Sequence, residues 1–185
     1  MKIITSDYNT LKIYCNDLIN MAVTSGFSPD VIVGIPSGGT EIGRIMRDLA
    51  PEGCRYNECV IIRPSSKKKK SRLKKILPYL PTFILNFLRI CEAKISFRFS
   101  SRGKINKVEI PDEIALYKRI LIVDDAVDSG ATLNTVYNAI HKIAPYAQIK
   151  TAAITVTLSN PIRDTDFSIF HNNTLVRFPW SMDAK

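Results

Sequence analysis

Two adjacent carboxylates, Asp124 and Asp125, follow the apolar run "ILIV" at residues 120 to 123. The run predicts a buried strand, and buried carboxylates are costly unless something polar pairs with them. Two neighbouring acceptors at the end of a strand suit the vicinal hydroxyls of a ribose ring or a hydrated Mg²⁺ ion. We therefore predict a binding site for a sugar or a cation at this point of the chain.

The acidic pair is followed by small and hydroxylated residues, at the point where a helix is expected to begin. Exposed backbone N–H groups at a helix N-terminus, with small side chains and two hydroxyls beside them, suit a phosphate. Together with the carboxylates they describe a pentose that carries a phosphate. The predicted phosphate-binding residues are Asp128, Ser129, Gly130, Ala131 and Thr132.

The elements that must position these residues alternate along the chain. Helical spacing predicts helices over residues 7–24, 41–49 and 132–143, with Leu49 and Ile143 on their inward faces. Apolar runs predict strands over 31–35, 59–63, 119–125 and 149–156. Strands of this kind, separated by helices, indicate an α/β fold with a parallel sheet covered on both faces. Ligands bind beyond the carboxyl ends of such strands, where the acidic pair falls.

The segment "VDDAVDSGAT", at residues 123 to 132, resembles the phosphoribosyl pyrophosphate (PRPP) signature of the type I phosphoribosyltransferases. Upstream, "VIVGIPSGGTEIG", at residues 31 to 43, resembles the pyrophosphate loop of the same family. The resemblance implies the type I fold, a central, mainly parallel sheet flanked by helices, in one domain over residues 1–185. It also implies a C-terminal hood over residues 157–185, and the chain adds an insert over residues 63–107.

The resemblance further implies PRPP as substrate, Mg²⁺ as cofactor and transfer of a phosphoribosyl group. Asp124 and Asp125 would hold the ribose hydroxyls and Mg²⁺, with Asp183 as a further candidate ligand. Asp128 is the candidate general base, and its alternative role is to cap the following helix. Backbone N–H groups would bind the pyrophosphate at Ser37, Gly38, Gly39 and Thr40.

The C-terminal stretch "NTLVRFPWSMD" resembles the hood of the xanthine–guanine branch of the family. In that branch a lysine recognises the purine 6-oxygen, but Asn160 stands at the aligned position, and Leu175 stands where an aromatic side chain often stacks on the base. A purine-type nucleobase and a saccharide hydroxyl on a membrane-associated glycan therefore both stay open as acceptors. The candidate acceptor-binding residues are Asn160, Leu175, Val176 and Trp180.

The charge of the chain is concentrated in the insert. The net charge is +9, but residues 63–107 alone carry +13 and the remainder carries −4. A compact lysine run at 67–70, without interleaved aromatic residues, makes nucleic acid an unlikely partner. Apolar residues at helical spacing after Pro81 make residues 67–95 cationic and amphipathic, which suits an anionic membrane surface. The alternatives are an oligomer contact, a core helix, or contact with RNA in a PRPP-sensing regulator that has no catalytic activity.

The remaining features favour a cytoplasmic protein. No stretch reaches the roughly 18 apolar residues of a spanning helix, and the N-terminus turns polar too early for a signal peptide. The four cysteines form no CxxC pair, so we expect buried or idle thiols and neither zinc nor disulfides. We expect a homodimer in the cytoplasm, with the insert as its means of contact with the inner face of the membrane.

Overall fold

A computed structural model describes residues 2–62, 105, 107–172 and 174–181 of the 185-residue chain. The insert predicted over residues 63–107 therefore lies almost entirely outside the described residues, and so do Cys91 and Asp183. The membrane-surface and oligomer interpretations of residues 67–95 stay predictions.

The described part of the chain contains helices and strands in alternation, together with a 3₁₀ helix over Asp112–Leu116. In chain order the other elements are β1 (Lys2–Thr5), α1 (Tyr8–Thr24), β2 (Val31–Gly34), α2 (Gly38–Leu49), β3 (Arg55–Glu58), β4 (Val60–Ile62), β5 (Lys107–Glu109), β6 (Arg119–Val127), α3 (Ala131–Ile143), β7 (Gln148–Val156), β8 (Phe167–His171) and β9 (Thr174–Arg177).

Five of these strands form the central sheet, in the order β3-β2-β6-β7-β8. Every neighbouring pair in it is parallel, which confirms the predicted fold class. The C-terminal segment 157–185 contributes β8 to this sheet and β9 to a separate parallel pair with β1. The third sheet is an antiparallel pair of β4 and β5.

Helices cover both faces of the central sheet, as expected for strands that are apolar throughout. One core cluster joins α1 and α2 to the sheet, through buried residues such as Leu18, Ile42 and Leu121. The other joins α3 and the 3₁₀ helix to the opposite face, through residues such as Val136 and Ile122. The two helices that follow β2 and β6 therefore lie on opposite faces of the sheet.

The second predicted strand was placed wrongly in the central sheet. Residues 59–63 were expected to pair there, but the edge strand is β3, the polar segment "RYNE". Its apolar neighbour Val60–Ile62 turns away and pairs with Lys107–Glu109. This segment needs few apolar side chains, because its four residues are exposed or only partly buried at the edge of the sheet. A prediction based on hydrophobicity alone therefore placed the apolar segment 59–63 in the central sheet in place of β3.

Helix α2 begins earlier than its apolar spacing indicated. Its first turn starts at Gly38, so residues expected in a loop belong to the helix. Two residues expected to point inward are partly exposed, Leu49 by 40% and Ile143 by 36%. Each lies in the last turn of its helix, where the helix extends beyond the edge of the core.

Candidate active site

Strands β2 and β6 lie side by side at the centre of the sheet, with Gly34 opposite Val123. The chain leaves β2 for β3 on one side and leaves β6 for β7 on the other. Such a reversal opens a crevice at the carboxyl ends of the strands, which is where parallel α/β sheets bind ligands. The two loops singled out in the sequence both border this crevice.

Asp124 and Asp125 lie near the carboxyl end of β6, where successive side chains point to opposite faces. Asp124 is only 9% exposed, and its Oδ1 accepts a hydrogen bond from the backbone N–H of Asp125 at 2.9 Å. Burial raises the pKa of Asp124 well above its ordinary value, and the neighbouring charge of Asp125 raises it further. Burial also raises the pKa of Asp125, although a hydrogen bond from Trp180 opposes this effect.

Asp30 lies at the amino ends of the strands, at the opposite end of the sheet from the acidic pair, and it shows how this protein compensates the charge of a structural carboxylate. Asp30 accepts hydrogen bonds from Nη2 of Arg119 at 2.7 Å and from its Nε at 3.2 Å. Burial acts to raise the pKa of Asp30, but the bonds from Arg119 outweigh it and the pKa is lowered. No salt bridge to Asp124 or Asp125 occurs in the described part of the chain. Unlike Asp30, the pair thus has no basic partner among the described residues, and burial raises the pKa of both carboxyls.

The first turn of α2 lies directly against the acidic pair. A Cβ on Gly38 would collide with the carboxylate of Asp125, and one on Gly39 would lie 2.9 Å from the Asp124 Cα. Glycine is therefore required at both positions, because only a bare backbone fits. Ser37 precedes the helix without capping it by its side chain. The N-terminus of α2 is thus without a side-chain cap from Ser37, and such a helix N-terminus suits an anion.

A second loop of small residues joins β6 to α3. Gly130 adopts a left-handed conformation with φ of 74°, and a Cβ there would collide with the carbonyl oxygen of Arg163. The hydroxyl of Ser129 accepts a hydrogen bond from the N–H of Ala131 at 3.4 Å. Its carbonyl oxygen accepts one from the N–H of Ile162 at 2.7 Å. The predicted phosphate residues 128–132 thus form this loop and the first turn of α3.

The Asp128 carboxylate does not cap α3, so that interpretation of Asp128 is wrong. The residue at the cap is Gly130, which makes no side-chain capping bond. Asp128 Oδ1 instead accepts a hydrogen bond of 2.8 Å from the hydroxyl of Thr157. Thr157 follows β7 directly and is buried. Its bond to Asp128 therefore holds this end of the loop against the sheet.

The acceptor candidates other than Trp180 lie at different depths. Asn160 is exposed, in the bend that follows β7. Leu175 is half-buried in β9 opposite Ile3 of β1. Val176 is buried within the core cluster of α1 and α2, which makes it a packing residue. Among the described residues, no hydrogen bond joins Asn160 or Leu175 to the acidic pair.

Trp180 is brought directly to the acidic pair. Its Nε1 donates a hydrogen bond to Asp125 Oδ2 at 3.1 Å. Its ring stacks on Phe178, with centroids 5.1 Å apart and parallel planes. Arg177, on the same segment, is buried and donates from Nη1 to the hydroxyl of Thr5 at 3.3 Å. The C-terminal segment is thus fixed at two points beside the crevice.

Sequence reasoning missed Tyr56, which holds the first turn of α2 from the other side. Its hydroxyl lies 3.1 Å from both the Thr40 carbonyl oxygen and Glu58 Oε1. A Cβ on Gly34 or Gly43 would lie less than 3 Å from the Tyr56 side chain. These two glycines are the signal in the sequence, since both lie within the segment 31–43 but outside the predicted pyrophosphate-binding residues 37–40. Thr157 and Arg163 were also missed, and nothing in their spacing indicated a contact with the loop.

Comparison with protein families gives the class of this fold and site. The family model described as "Phosphoribosyl transferase domain" matches residues 6–185, nearly the whole chain. The chain belongs to the phosphoribosyltransferase family. It is accordingly a phosphoribosyltransferase enzyme, of the type I fold that its two small-residue motifs implied. No curated protein gives a significant match to the chain.

Solved structures agree with the fold of this phosphoribosyltransferase. It is similar to a purine phosphoribosyltransferase from Pyrococcus horikoshii, at 18% identity over 98% of this chain and 95% of that chain, with a TM-score of 0.64. A Helicobacter pylori xanthine-guanine-hypoxanthine phosphoribosyltransferase gives 17% identity with the same coverages and TM-score. A hypothetical protein from Neisseria gonorrhoeae with bound ppGpp gives 14% identity, coverages of 97% and 89%, and a TM-score of 0.60. At these identities the likeness shows the fold alone.

The phosphoribosyltransferase has no helix long and apolar enough to cross a membrane among its described residues.

Proposed function

We propose that this phosphoribosyltransferase transfers the 5-phosphoribosyl group of PRPP to an acceptor and releases pyrophosphate. The observation that carries this proposal is the close approach of the first turn of α2 to the acidic pair, where Gly38 and Gly39 leave no room for a side chain. PRPP bears its diphosphate on C1, next to two ring hydroxyls. The first turn of α2 suits a diphosphate, and the carboxylates of Asp124 and Asp125 beside it can accept hydrogen bonds from two hydroxyls. This matches the arrangement of groups in PRPP.

The reaction breaks the bond between C1 and the diphosphate oxygen, which leaves with the electron pair, and forms a bond from C1 to the acceptor. The ring then resembles an oxocarbenium ion, as in glycoside cleavage. The backbone N–H groups of residues 37–40 would stabilise charge on the leaving diphosphate. Asp124 and Asp125 would hold the ring hydroxyls, and residues 129–132 the 5′-phosphate, so that C1 faces the acceptor. Asp128 would take the proton that the acceptor loses.

The acidic pair also suits Mg²⁺, which prefers oxygen ligands and keeps several waters or substrate oxygens. No cluster of three or more ligating side chains occurs in the described part of the chain. Asp124 and Asp125 would therefore hold the ion jointly with the substrate, and Asp183 is a further candidate ligand. Bound Mg²⁺ would neutralise charge on the diphosphate.

We propose a purine-type nucleobase as the acceptor. Two of the similar structures that span nearly the whole chain are described as purine and as xanthine-guanine-hypoxanthine phosphoribosyltransferases. Asn160 supplies an uncharged amide where the xanthine–guanine branch has a lysine, so we expect a weaker preference for 6-oxopurines. The saccharide acceptor rested on the missing purine lysine, where Asn160 stands, and on the cationic segment 67–95. The RNA-binding regulator rested on basic residues of the same segment, which lies outside the described residues.

The test measures pyrophosphate release from PRPP and Mg²⁺ with separate acceptor pools: hypoxanthine, guanine, xanthine and adenine, then orotate, then lipid-linked saccharides. We expect release with at least one purine and loss of release in the double variant D124N/D125N. The matched control is Asp17→Asn, which neutralises an exposed carboxylate on α1 and should leave release unchanged.

The outcomes separate the parts of the proposal. Release with the saccharide pool alone would overturn the nucleobase acceptor and leave the transfer reaction standing. PRPP binding without release from any pool would indicate a regulator. Unchanged release by the double variant would contradict the assignment of the acidic pair.

A further inference from the structure

The segment that follows β7 makes a contact that no motif in the sequence indicated. The hydroxyl of Thr157 donates a 2.8 Å hydrogen bond to Oδ1 of Asp128, across 29 residues of chain. Thr157 is 5% exposed, whereas Asp128 is exposed. A buried donor thus holds one oxygen of a carboxylate whose surroundings are otherwise open to water.

The position of the Thr157 hydroxyl is fixed by the backbone. The N–H of Thr157 donates to the carbonyl oxygen of Val127 at 2.9 Å, which continues the β6–β7 ladder by one more bond. Threonine is branched at Cβ and has few accessible side-chain rotamers. The donor is therefore rigid relative to the end of β6, from which Asp128 projects.

The bond from Thr157 occupies Oδ1 of the Asp128 carboxylate and leaves Oδ2 available. Among the residues that the structure describes, the Thr157 hydroxyl is the one hydrogen-bond donor to this carboxylate. With Oδ1 occupied, Oδ2 remains to accept a proton. A carboxylate free to rotate would spend part of its time with neither oxygen directed at the acceptor, and misorientation of a proton acceptor slows the reaction.

We propose that Thr157 is a positioning residue that orients Asp128 toward the acceptor. This inference rests on the proposed function, in which Asp128 takes the acceptor's proton. Thr157 itself touches neither substrate, and its effect passes through the Asp128 carboxylate. Its substitution should therefore change the rate of transfer much more than the binding of PRPP.

The chain provides a matched control within β7, the strand that Thr157 follows. Thr151 is also buried, and its hydroxyl donates a 2.9 Å hydrogen bond to the carboxylate of Asp166. Thr151 and Thr157 thus share residue type, burial and a hydrogen bond to an aspartate carboxylate, but Thr151 lies near the other end of β7. The Thr151 hydroxyl also accepts a 3.0 Å hydrogen bond from the N–H of Asp166. Thr151→Val removes the same chemistry where no substrate is expected.

The experiment compares Thr157→Val, Thr157→Ser and Thr151→Val with the wild type. The readouts are kcat and the KM for PRPP, from pyrophosphate release with hypoxanthine, guanine, xanthine and adenine, and the midpoint of thermal unfolding. We expect T157V to lower kcat on the order of tenfold or more, with KM for PRPP within about threefold of wild type. T157S retains the hydroxyl and should keep kcat within about threefold. T151V should lower the unfolding midpoint and leave kcat unchanged.

Three results would overturn the inference. The first is a T157V enzyme with the wild-type kcat. The second is a T157S enzyme as slow as T157V, which would point to side-chain shape in place of the hydroxyl. The third is an equal loss of kcat in T151V, which would indicate a general effect of weakening β7. A wild-type protein that releases no pyrophosphate with any acceptor would instead overturn the proposed function itself.

Discussion

The indole N–H of Trp180 donates a hydrogen bond to Oδ2 of Asp125 across 55 residues of chain, at 3.1 Å. The same indole stacks on Phe178, which is buried in the core cluster of α1 and α2. The C-terminal segment is thereby joined to the acidic pair that would hold the ribose.

Substitution of Trp180 by phenylalanine should weaken PRPP binding. Phenylalanine can keep the stacking on Phe178 but has no N–H for Asp125, so the carboxylate loses a donor that favours its charged form. A hydrogen bond to a charged group is worth about 1.5 kcal/mol or more, or roughly tenfold in Kd. Calorimetric titration with PRPP and Mg²⁺ measures the change. A W180F protein that binds PRPP as tightly as the wild type would show that the bond is only structural.

Substitution of Gly38 by alanine should cost both stability and PRPP affinity. The new Cβ collides with the Asp125 carboxylate and must displace it or the first turn of α2. Overpacking of this kind costs about 1–3 kcal/mol of folding stability. We also expect PRPP affinity to fall, because the displaced carboxylate or turn would no longer match the ribose and the diphosphate.

The control for Gly38→Ala is Gly43→Ala in the same helix. There the Cβ would lie 2.7 Å from the Tyr56 ring, away from the acidic pair. G43A should lower the midpoint of thermal unfolding, and G38A should lower PRPP affinity more than G43A does. If the two variants lose the same affinity, the close approach to Asp125 has no special role.

The central elements of the fold could be predicted because their residues are buried by neighbours on all sides. Strands β2, β6 and β7 are runs of apolar residues, and the acidic pair stands out against β6. β3 and β8 could not be found this way. They lie at the edges of the sheet, and "RYNE" and "FSIFH" are only partly buried.

The contacts within the site depend on residues distant in sequence, and this limited what the motifs could show. The contacts Thr157–Asp128, Trp180–Asp125 and Arg163–Gly130 join segments that only the fold brings together. Spacing within a motif contains no information about such pairs. For this reason the candidate ligand-binding residues followed from local chemistry, whereas the residues that orient them did not.

The described thiols should be nearly inert in the native protein. Burial raises the pKa of Cys15 to about 12 and that of Cys59 to about 12, and it raises the pKa of the half-buried Cys54 to about 11. At pH 8 the thiolate fraction of the first two is roughly one in ten thousand, and the thiolate is the reactive form. In a Cys91→Ser variant, an aromatic disulfide reagent should react slowly with native protein and rapidly with three thiols in guanidinium. Rapid native reaction of Cys15 or Cys59 would contradict their burial.

Removal of the Asp124 charge should stabilise the protein while it abolishes activity. Burial raises the pKa of Asp124 in the folded state, so the folded state binds this proton more tightly than the unfolded chain does. The stabilising contribution is full below the unfolded pKa, near 4, and is lost as pH rises through the folded pKa. Asp124→Asn keeps an oxygen for the Asp125 N–H and has no charge to bury. We therefore expect D124N to unfold at a higher temperature than wild type at pH 8, and at nearly the same temperature at pH 4.

Thermal unfolding in metal-free buffer from pH 4 to pH 8 measures this effect. Each kcal/mol recovered corresponds to roughly 2–4 °C in a chain of this length. Asp17→Asn is the control, because it neutralises an exposed carboxylate and should give a pH dependence parallel to the wild type. A D124N curve that also runs parallel to wild type would mean that the Asp124 charge carries no cost in the folded state. The protein around Asp124 would then have to solvate that charge without a ligand, and burial would give the acidic pair no energetic need for a cation or a sugar.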